Sequence, residues 1–363
     1  MGARLFRFHR AVISPHQRGP ALGVARAALS AASGVYGLSV RARNGLYRAG
    51  WLKTQRAGVP VVSVGNITAG GTGKTPFAAW LARLLVIHKM RPAILSRGYG
   101  RHRALGLDDE NEMLRRLADS VPVVVEPDRL KGAERAVRQH GADVLILDDG
   151  FQHRRLARDL DVVLIDAVWP FGAGRLLPRG LLREPLKGLE RADFLVLTRT
   201  ELIGPEQIEE VKTRLNRLAH GVPVALCETT LQGLRPLGRP AEEALLPGAL
   251  REGRWAAFCG IGNPEAFRLT LRRAGCDPAT FSVFADHERY SRRQIKGVLA
   301  RACASGCDCV VTTEKDAVKV EALTARDGPP AGPALYALQT ELDMTEGSTA
   351  FMAAALEAAG RRA

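Results

Sequence analysis

Short apolar runs recur through the first two-thirds of the chain, at residues 59–64, 93–95, 121–125, 144–147, 162–165 and 194–197, with helix-period segments between them. Uninterrupted apolar strands alternating with helices predict a parallel sheet covered on both faces. Several runs end in polar residues: Ser96-Arg97-Gly98-Tyr99, Asp148-Asp149, Asp166 and Thr198-Arg199-Thr200. Ligands of open α/β sheets sit beyond the carboxyl ends of the strands, so these are the candidate site loops. A Pro/Gly-rich stretch at 233–253 marks a boundary, and a second α/β pattern follows with strands expected at 255–258, 281–284 and 309–312. Segments 222–227 and 334–338 flank that second unit and could pair as a two-stranded tether.

The run at 59–64 leads into Thr68-Ala69-Gly70-Gly71-Thr72-Gly73-Lys74-Thr75, and a helical pattern with Trp80, Leu81, Leu84 and Leu85 follows. Strand, glycine loop and helix in that order wrap backbone N–H groups around a polyphosphate, where the helix dipole favours negative charge. Lys74 would reach the β/γ-phosphates and the Thr75 hydroxyl would ligate Mg²⁺. Pro76 is compatible with the first helical turn, which needs no N–H. The standard loop opens with Gly, whereas position 68 is Thr. The predicted fold is therefore α/β, a P-loop NTPase-like parallel sheet with a second, smaller α/β domain. The expected boundaries are a basic, amphipathic N-terminal helical segment at 1–55, the P-loop domain at 56–230, the second α/β domain at 231–335, and a tether strand with C-terminal helix at 336–363.

Charge changes the picture at the N-terminal end. The 363-residue chain carries a net charge of +14, and its first acidic residue is Asp108. Residues 1–107 hold 14 Arg and 3 Lys with no acid, so the remaining chain is slightly negative. A single-sign third points to a polyanionic partner: nucleic acid, an anionic membrane or a phosphorylated substrate. Residues 27–40 are apolar and bracketed by Arg26 and Arg41, a run too short to span a bilayer. With Phe6 and Phe8 before it and Tyr47 and Trp51 after, it reads as helices lying on an anionic surface or packed on the protein's own core. No aromatic-basic stacking pattern accompanies the arginines, which argues against nucleic acid. A hydrophobic fraction of 46% with 25% charged residues is that of a folded globular chain. The six cysteines, all after residue 226, form no disulfide-like framework and fit a reducing cytoplasm.

Asp148 and Asp149 close a Val-Leu-Ile-Leu run, and a strand-end carboxylate is what a phosphate-loop enzyme uses to hold Mg²⁺. Gln152 and His153 follow at once. Asp109 and Glu110 come directly after the acid-free third, and either could take a proton from an acceptor hydroxyl. Arg97, Arg129 and Arg183 lie in loop-like contexts where a guanidinium can grip phosphate with two N–H groups. Asp286-His287 follows the 281–284 run and could orient a base across a cleft.

Taken together the chain resembles the tetraacyldisaccharide 4'-kinase family over most of its length. The resemblance rests on Ser63-Val-Gly-Asn-Ile-Thr-Ala-Gly-Gly-Thr-Gly-Lys-Thr-Pro76, Ser96-Arg-Gly-Tyr-Gly-Arg101, Pro127-Asp-Arg129, Leu147-Asp-Asp-Gly-Phe-Gln-His153, Gly174-Arg-Leu-Leu-Pro-Arg-Gly-Leu-Leu-Arg-Glu-Pro185, Gly260-Ile-Gly-Asn-Pro264, Asp286-His287 and Thr312-Thr-Glu-Lys-Asp316. In that family the glycine loop usually lacks its first glycine, so Thr68 fits. The resemblance implies ATP- and Mg²⁺-dependent phosphorylation of the 4'-hydroxyl of an acylated glucosamine disaccharide 1-phosphate, at the cytoplasmic face of a Gram-negative inner membrane. It further implies that residues 68–75 bind ATP, with Lys74 on the phosphates and Thr75, Asp148, Asp149 and Glu184 around the metal. Asp109 is implied as the catalytic base and His287 as its partner from the second domain, with Gln152 supporting the site. Arg97, Tyr99, Arg129 and Arg183 are implied at the substrate or the transferring phosphate. The family's Gly-Asp-Glu-Pro stretch reads Asp108-Asp-Glu-Asn111 here.

The competing reading is a partition-type or nucleic-acid-stimulated P-loop ATPase. Partition-type ATPases carry a signature Lys just before Gly-Gly-x-Gly-Lys-Thr, and that position is Ala69. The pattern does not specify an oligomeric state.

Overall fold

The computed structural model describes residues 12, 19–98, 109–286, 288–327 and 331–360, excluding the side chains of Asp109, Ala241 and residues 324–327. The chain divides into two compact units, one running to Glu228 and resuming at Met344, the other Thr229–Asp343.

The first unit is built on β1 (Val61–Asn66), β2 (Pro92–Ser96), β3 (Val123–Val125), β4 (Val144–Asp148), β5 (Leu160–Asp166), β6 (Phe194–Thr198) and the start of β7 (Val224–Pro236), in the order β3-β2-β4-β1-β5-β6-β7. The pairings are parallel throughout. Strands β1, β2, β4, β5 and β6 are buried at every position, which is why they read as unbroken apolar runs rather than alternating ones. The run at 121–125 yields only three strand residues, because Pro122 has no N–H to give to the ladder.

Strand order decides where the chemistry sits. From β1 the chain passes to β2 and β3, returns as β4 beside β1, and then places β5 on the other side of β1. The carboxyl ends of β1 and β4 are thus adjacent, and Val64 is level with Asp148. A reversal of strand order is where open α/β sheets bind ligands.

The helices of this unit include α1 (Pro20–Arg48), α2 (Lys74–Ile87), α3 (Asp109–Ala118), α4 (Arg129–His140), α5 (Pro205–Leu218) and a C-terminal helix, Ser348–Gly360. The last packs on β1 and β5 and sets Phe351 among Phe77, Trp80 and Phe194. The apolar run at 27–40 forms the middle of one 29-residue helix rather than several short ones, since the flanking Ala, Leu and Arg are also good helix formers. By length and composition α1 could cross a membrane, which corrects the length argument drawn from the 14-residue run alone. Its own contacts hold it to the protein: Ser33 Oγ donates to Leu176 O at 2.9 Å and Tyr36 Oη to Arg183 O at 2.7 Å.

The second unit carries the continuation of β7, then β8 (Trp255–Cys259), β9 (Thr280–Val283), β10 (Cys309–Thr313) and β11 (Ala334–Glu346), ordered β7-β11-β10-β8-β9. Helices Pro264–Arg273, Arg292–Ala304 and Glu314–Asp327 accompany these strands, with apolar clusters around Phe258 and Trp255 as its cores. Strands β7 and β11 each run 13 residues, so Gly233 of the Pro/Gly-rich stretch lies inside β7. Buried Asp316 accepts from Gly260 N at 2.9 Å, Tyr290 Oη at 3.0 Å and Thr313 Oγ1 at 2.8 Å, which joins two of the quoted motifs within this unit.

Candidate active site

The glycine loop leaves β1 and enters α2 through Gly73, whose φ of 85° is left-handed, as is the 128° of Gly70. Both values suit glycine and let successive N–H groups turn toward one point. A Cβ at Gly70, Gly71 or Gly73 would meet nothing within 4 Å, so the concave side is open. Thr72 is fixed from below: Asn66 Nδ2 donates to its Oγ1 at 2.9 Å, and Thr198 Oγ1 to its carbonyl at 3.1 Å. Thr68 opens the loop in an isolated β-bridge beyond the end of β1. It bridges antiparallel to Leu182, with Ala69 N on Leu181 O at 2.6 Å and Arg183 N on Ile67 O at 2.7 Å. A β-branched residue suits such pairing better than glycine. The same pairing delivers Arg183 and Glu184 to the loop.

After β4 the chain turns sharply. Asp149 has a φ of 57°, Gly150 N donates to Val64 O at 3.0 Å, and Phe151 folds over Gly65. A left-handed aspartate costs about 1 kcal/mol or more and persists where its surroundings fix it. Here they do: Arg183 Nη1 donates to both Asp149 oxygens at 2.6 and 2.8 Å, and Lys74 Nζ stands 3.5 Å from Oδ1. Burial alone would raise the Asp149 carboxyl, but Lys74 and Arg183 outweigh it and hold it at about 2. Burial pushes Lys74 downward, opposed chiefly by Asp149. Among the described residues Asp148 has no such ion pair. Burial and the neighbouring Asp149 push it up to about 7, while Thr75 Oγ1 donates to its Oδ2 at 3.3 Å.

A ring of polar groups surrounds this pair. Gln152 Nε2 donates to Asn66 O at 2.8 Å and to Glu184 Oε1 at 2.9 Å, and Arg183 Nη1 lies 3.5 Å from Gln152 Oε1. Glu184 is fully buried, with Arg191 Nη1 at 2.9 Å and Asn44 Nδ2 of α1 at 3.5 Å on Oε2. Arg129 is buried too and donates to the carbonyls of Glu126 at 3.0 Å and Asp148 at 3.3 Å. The structure thus brings together Lys74, Thr75, Asp148, Asp149, Gln152, Arg129, Arg183 and Glu184. Arg97 is exposed at the end of β2, within electrostatic reach of His153. Tyr99 and His287 lie outside the described residues, as does the side chain of Asp109. Helix α3 begins at Asp109 and packs on α2, and Glu110 acts electrostatically on Lys74 and Asp148. Asp286 pairs with Lys315 at 3.1 Å. Sequence reasoning placed Thr198 at a candidate strand-end loop without a role and missed the roles of Asn66, Asn44 and Arg191; Asn66 had a signal too, as a polar residue ending an apolar strand.

The donor set suits a hard divalent cation. Among the described residues Asp148 Oδ1 has no hydrogen-bond partner although it is buried beside the Thr75 hydroxyl, an arrangement that a cation would complete. Among the described residues no three His, Cys, Asp or Glu side chains converge as a metal cluster. Magnesium in phosphate-loop enzymes needs none, because it takes one or two protein oxygens, water and the nucleotide's phosphates.

Glycine loop, strand-end aspartates on the adjoining strand and flanking arginines define a P-loop phosphotransferase. Its family is specific: the sequence profile of "Tetraacyldisaccharide-1-P 4'-kinase" (LpxK) matches residues 25–358, and the chain belongs to that family. It is 40% identical to a tetraacyldisaccharide 4'-kinase of Anaeromyxobacter dehalogenans, over 93% of this chain and 91% of that protein. It is 39% identical to one of Geobacter sulfurreducens, over 88% and 91%. The crystal structure of LpxK from Aquifex aeolicus in complex with ATP superposes with a TM-score of 0.69 at 32% identity, covering 92% of this chain and 99% of that one. The expected α/β P-loop fold and the expected ATP- and Mg²⁺-dependent 4'-kinase activity of lipid A biosynthesis both stand on this membership.

Proposed function

We propose that phosphoryl transfer to the 4'-hydroxyl of tetraacyldisaccharide 1-phosphate takes place at the mouth of the glycine loop, with the division of labour that follows. Backbone N–H groups of residues 68–75 and Lys74 hold the nucleotide's phosphates. Thr75 and Asp148 supply oxygens to Mg²⁺, with Asp149 and Glu184 as the nearby carboxylates. Bound there, the ion would supply charge neutralisation at the nucleotide's phosphates. Arg183, fixed by Asp149, donates to the phosphoryl group in flight. Asp109 takes the proton of the attacking hydroxyl, with His287 as its partner. Arg97, Tyr99 and Arg129 serve the substrate side, Arg129 through the Asp148 backbone. The observation that carries this reading is the convergence of Thr75 with Asp148 and of Lys74 and Arg183 with Asp149.

The assignment of the base is tested by Asp109→Asn. We expect turnover to fall on the order of 10²–10⁴-fold with ATP affinity retained. Unchanged turnover removes Asp109 from the role, and an unchanged His287→Ala enzyme removes its partner.

The substrate is a lipid, and the proposed workplace is an anionic membrane surface, the cytoplasmic face of the inner membrane. Support comes from α1. Its Val24, Val35 and Leu38 are 74%, 67% and 64% exposed, Arg41 and Arg48 share the helix, and Asn44 reaches Glu184 in the site. An apolar stripe rimmed by arginines suits acyl chains below and phosphate headgroups beside them.

A further inference from the structure

Arg158 belongs to none of the groups assigned above, yet it holds the turn on which they depend. Its Nη2 donates to the carbonyl oxygens of Gly150 at 2.9 Å and Phe151 at 3.2 Å. Its Nε faces Asp161 Oδ2 at 3.1 Å, with both side chains nearly buried. Asp161 is a rigid anchor because it sits in β5, level with Ser63 of β1. The two carbonyls belong to consecutive peptides, so one guanidinium fixes the orientation of both peptide planes between Gly150 and Gln152. Immediately before them Asp149 is held in the left-handed region; immediately after them Gln152 reaches Asn66 and Glu184.

Arg191 lies over the Phe151 ring, 4.4 Å from its centroid, while pairing with Glu184. The turn is thus held both through its carbonyls and through its aromatic ring.

We propose that Arg158, seated on Asp161, is a positioning residue of the kinase reaction: by holding the Gly150 and Phe151 carbonyls it sets Asp149 and Gln152 in register with Lys74 and Arg183. The proposal rests on the division of labour given above. A lysine cannot replace it, because an ammonium lacks the planar fork that serves two carbonyls and a carboxylate together. A misplacement of the order of an ångström at such a site costs on the order of 10²-fold in rate.

The test uses the full chain with Arg158→Ala, Arg158→Lys, Gln152→Ala, the Arg158→Ala/Gln152→Ala double variant, and Lys74→Ala as benchmark. The kcat, the KM for ATP and the thermal midpoint are measured for each. We expect both Arg158 variants to lose about 10- to 100-fold in kcat. The KM for ATP should stay within about twofold, because the glycine loop is untouched. In the Gln152→Ala background Arg158→Ala should add less than about a twofold further loss, since both changes disable one unit. Guanidinium ion should restore part of the Arg158→Ala turnover and none of that of Lys74→Ala. Folded Arg158 variants with parental kcat, or losses that multiply in the double variant, overturn the proposal. If Arg158→Ala does not fold, Arg158→Lys, which keeps the charge beside Asp161, and its Gln152→Ala double carry the same comparison. An active Lys74→Ala enzyme overturns the reading of the site instead, so the two failures are distinct.

Discussion

Arg183 meets both carboxylate oxygens of Asp149 through one nitrogen, at 2.6 and 2.8 Å. The guanidinium is thereby held in place by a fixed carboxylate, which favours charge stabilisation without reorganisation at the moment of transfer. Replacing Arg183 by Ala should lower kcat by about 10²–10³-fold. Arg183→Lys should recover little of it, because a point charge does not reproduce the fork. Steady-state kinetics decide; a lysine variant with near-parental kcat would show that charge alone suffices.

Gly65 and Phe151 touch so closely that a Cβ at position 65 would stand 2.5 Å from the Phe151 Cβ and 2.6 Å from its backbone N. Backbone cannot yield as a side-chain tip can, so the Asp149–Gln152 turn has to lift. Gly65→Ala should destabilise the protein by roughly 1–3 kcal/mol. It should also depress kcat more than the KM for ATP. Denaturant unfolding with parallel kinetics reads both, and a variant of parental stability would contradict the close packing.

Phe351 places the last helix in the core of the first unit. Its ring is fully buried, 5.6 Å from Phe77 of α2 and 5.2 Å from Phe194 of β6. Phe351→Ala should cost about 3–5 kcal/mol. The cost appears as a lowered denaturant midpoint, and a change below about 1 kcal/mol would mean the helix is not part of that core.

His153 supplies a pH dependence of definite sign. Burial, aided by the charges of Arg129, Arg158 and Arg97, pushes its imidazole down to about 4. Its folded value is below the unfolded one, so its contribution to stability is whole above about pH 6.5 and lost as pH falls through about 4. Asp148 and Asp161, raised to about 7 and about 6, act in the opposite sense, losing stability as pH rises through those values. The informative quantity is therefore a difference between two proteins. His153→Gln should flatten the fall of the thermal midpoint between pH 6.5 and 4; identical slopes would contradict the assignment.

Sequence pattern carried the sheet, the glycine loop and the paired aspartates, because each is a local signal: an apolar run, a loop and a helix start within some twenty residues. It also placed the loop after β1 and the loop after β4 at one edge, since strand-end loops of one parallel sheet share it, but the Lys74–Asp149 ion pair is visible only in the structure. What it did not carry are the pairings that lock the site. Thr68 with Leu182, Gln152 with Glu184, and Arg158 with two carbonyls depend on turns whose geometry leaves no periodicity in the chain. Helix α1 was shortened for a related reason. Its arginines broke the apolar count without breaking the helix, whose polar side docks on Leu176 and Arg183.

The surface assigned to α1 has its own check. A Val35→Glu/Leu38→Glu enzyme should bind vesicles of anionic phospholipid at least roughly tenfold more weakly than the parent, with salt weakening both. Equal sedimentation with vesicles would remove α1 as the membrane contact.

The central claim is that the loop at residues 68–75 and the carboxylates after β4 phosphorylate a lipid disaccharide. Its most direct test supplies γ-labelled ATP, Mg²⁺ and tetraacyldisaccharide 1-phosphate to the parent, Lys74→Ala and Asp148→Asn enzymes, and follows label into the lipid. The predicted result is a labelled 4'-phosphate product from the parent, dependent on Mg²⁺ and nearly absent from both variants. Label remaining in ATP or appearing only as free phosphate with the parent enzyme, or product formed equally by Lys74→Ala, would contradict it.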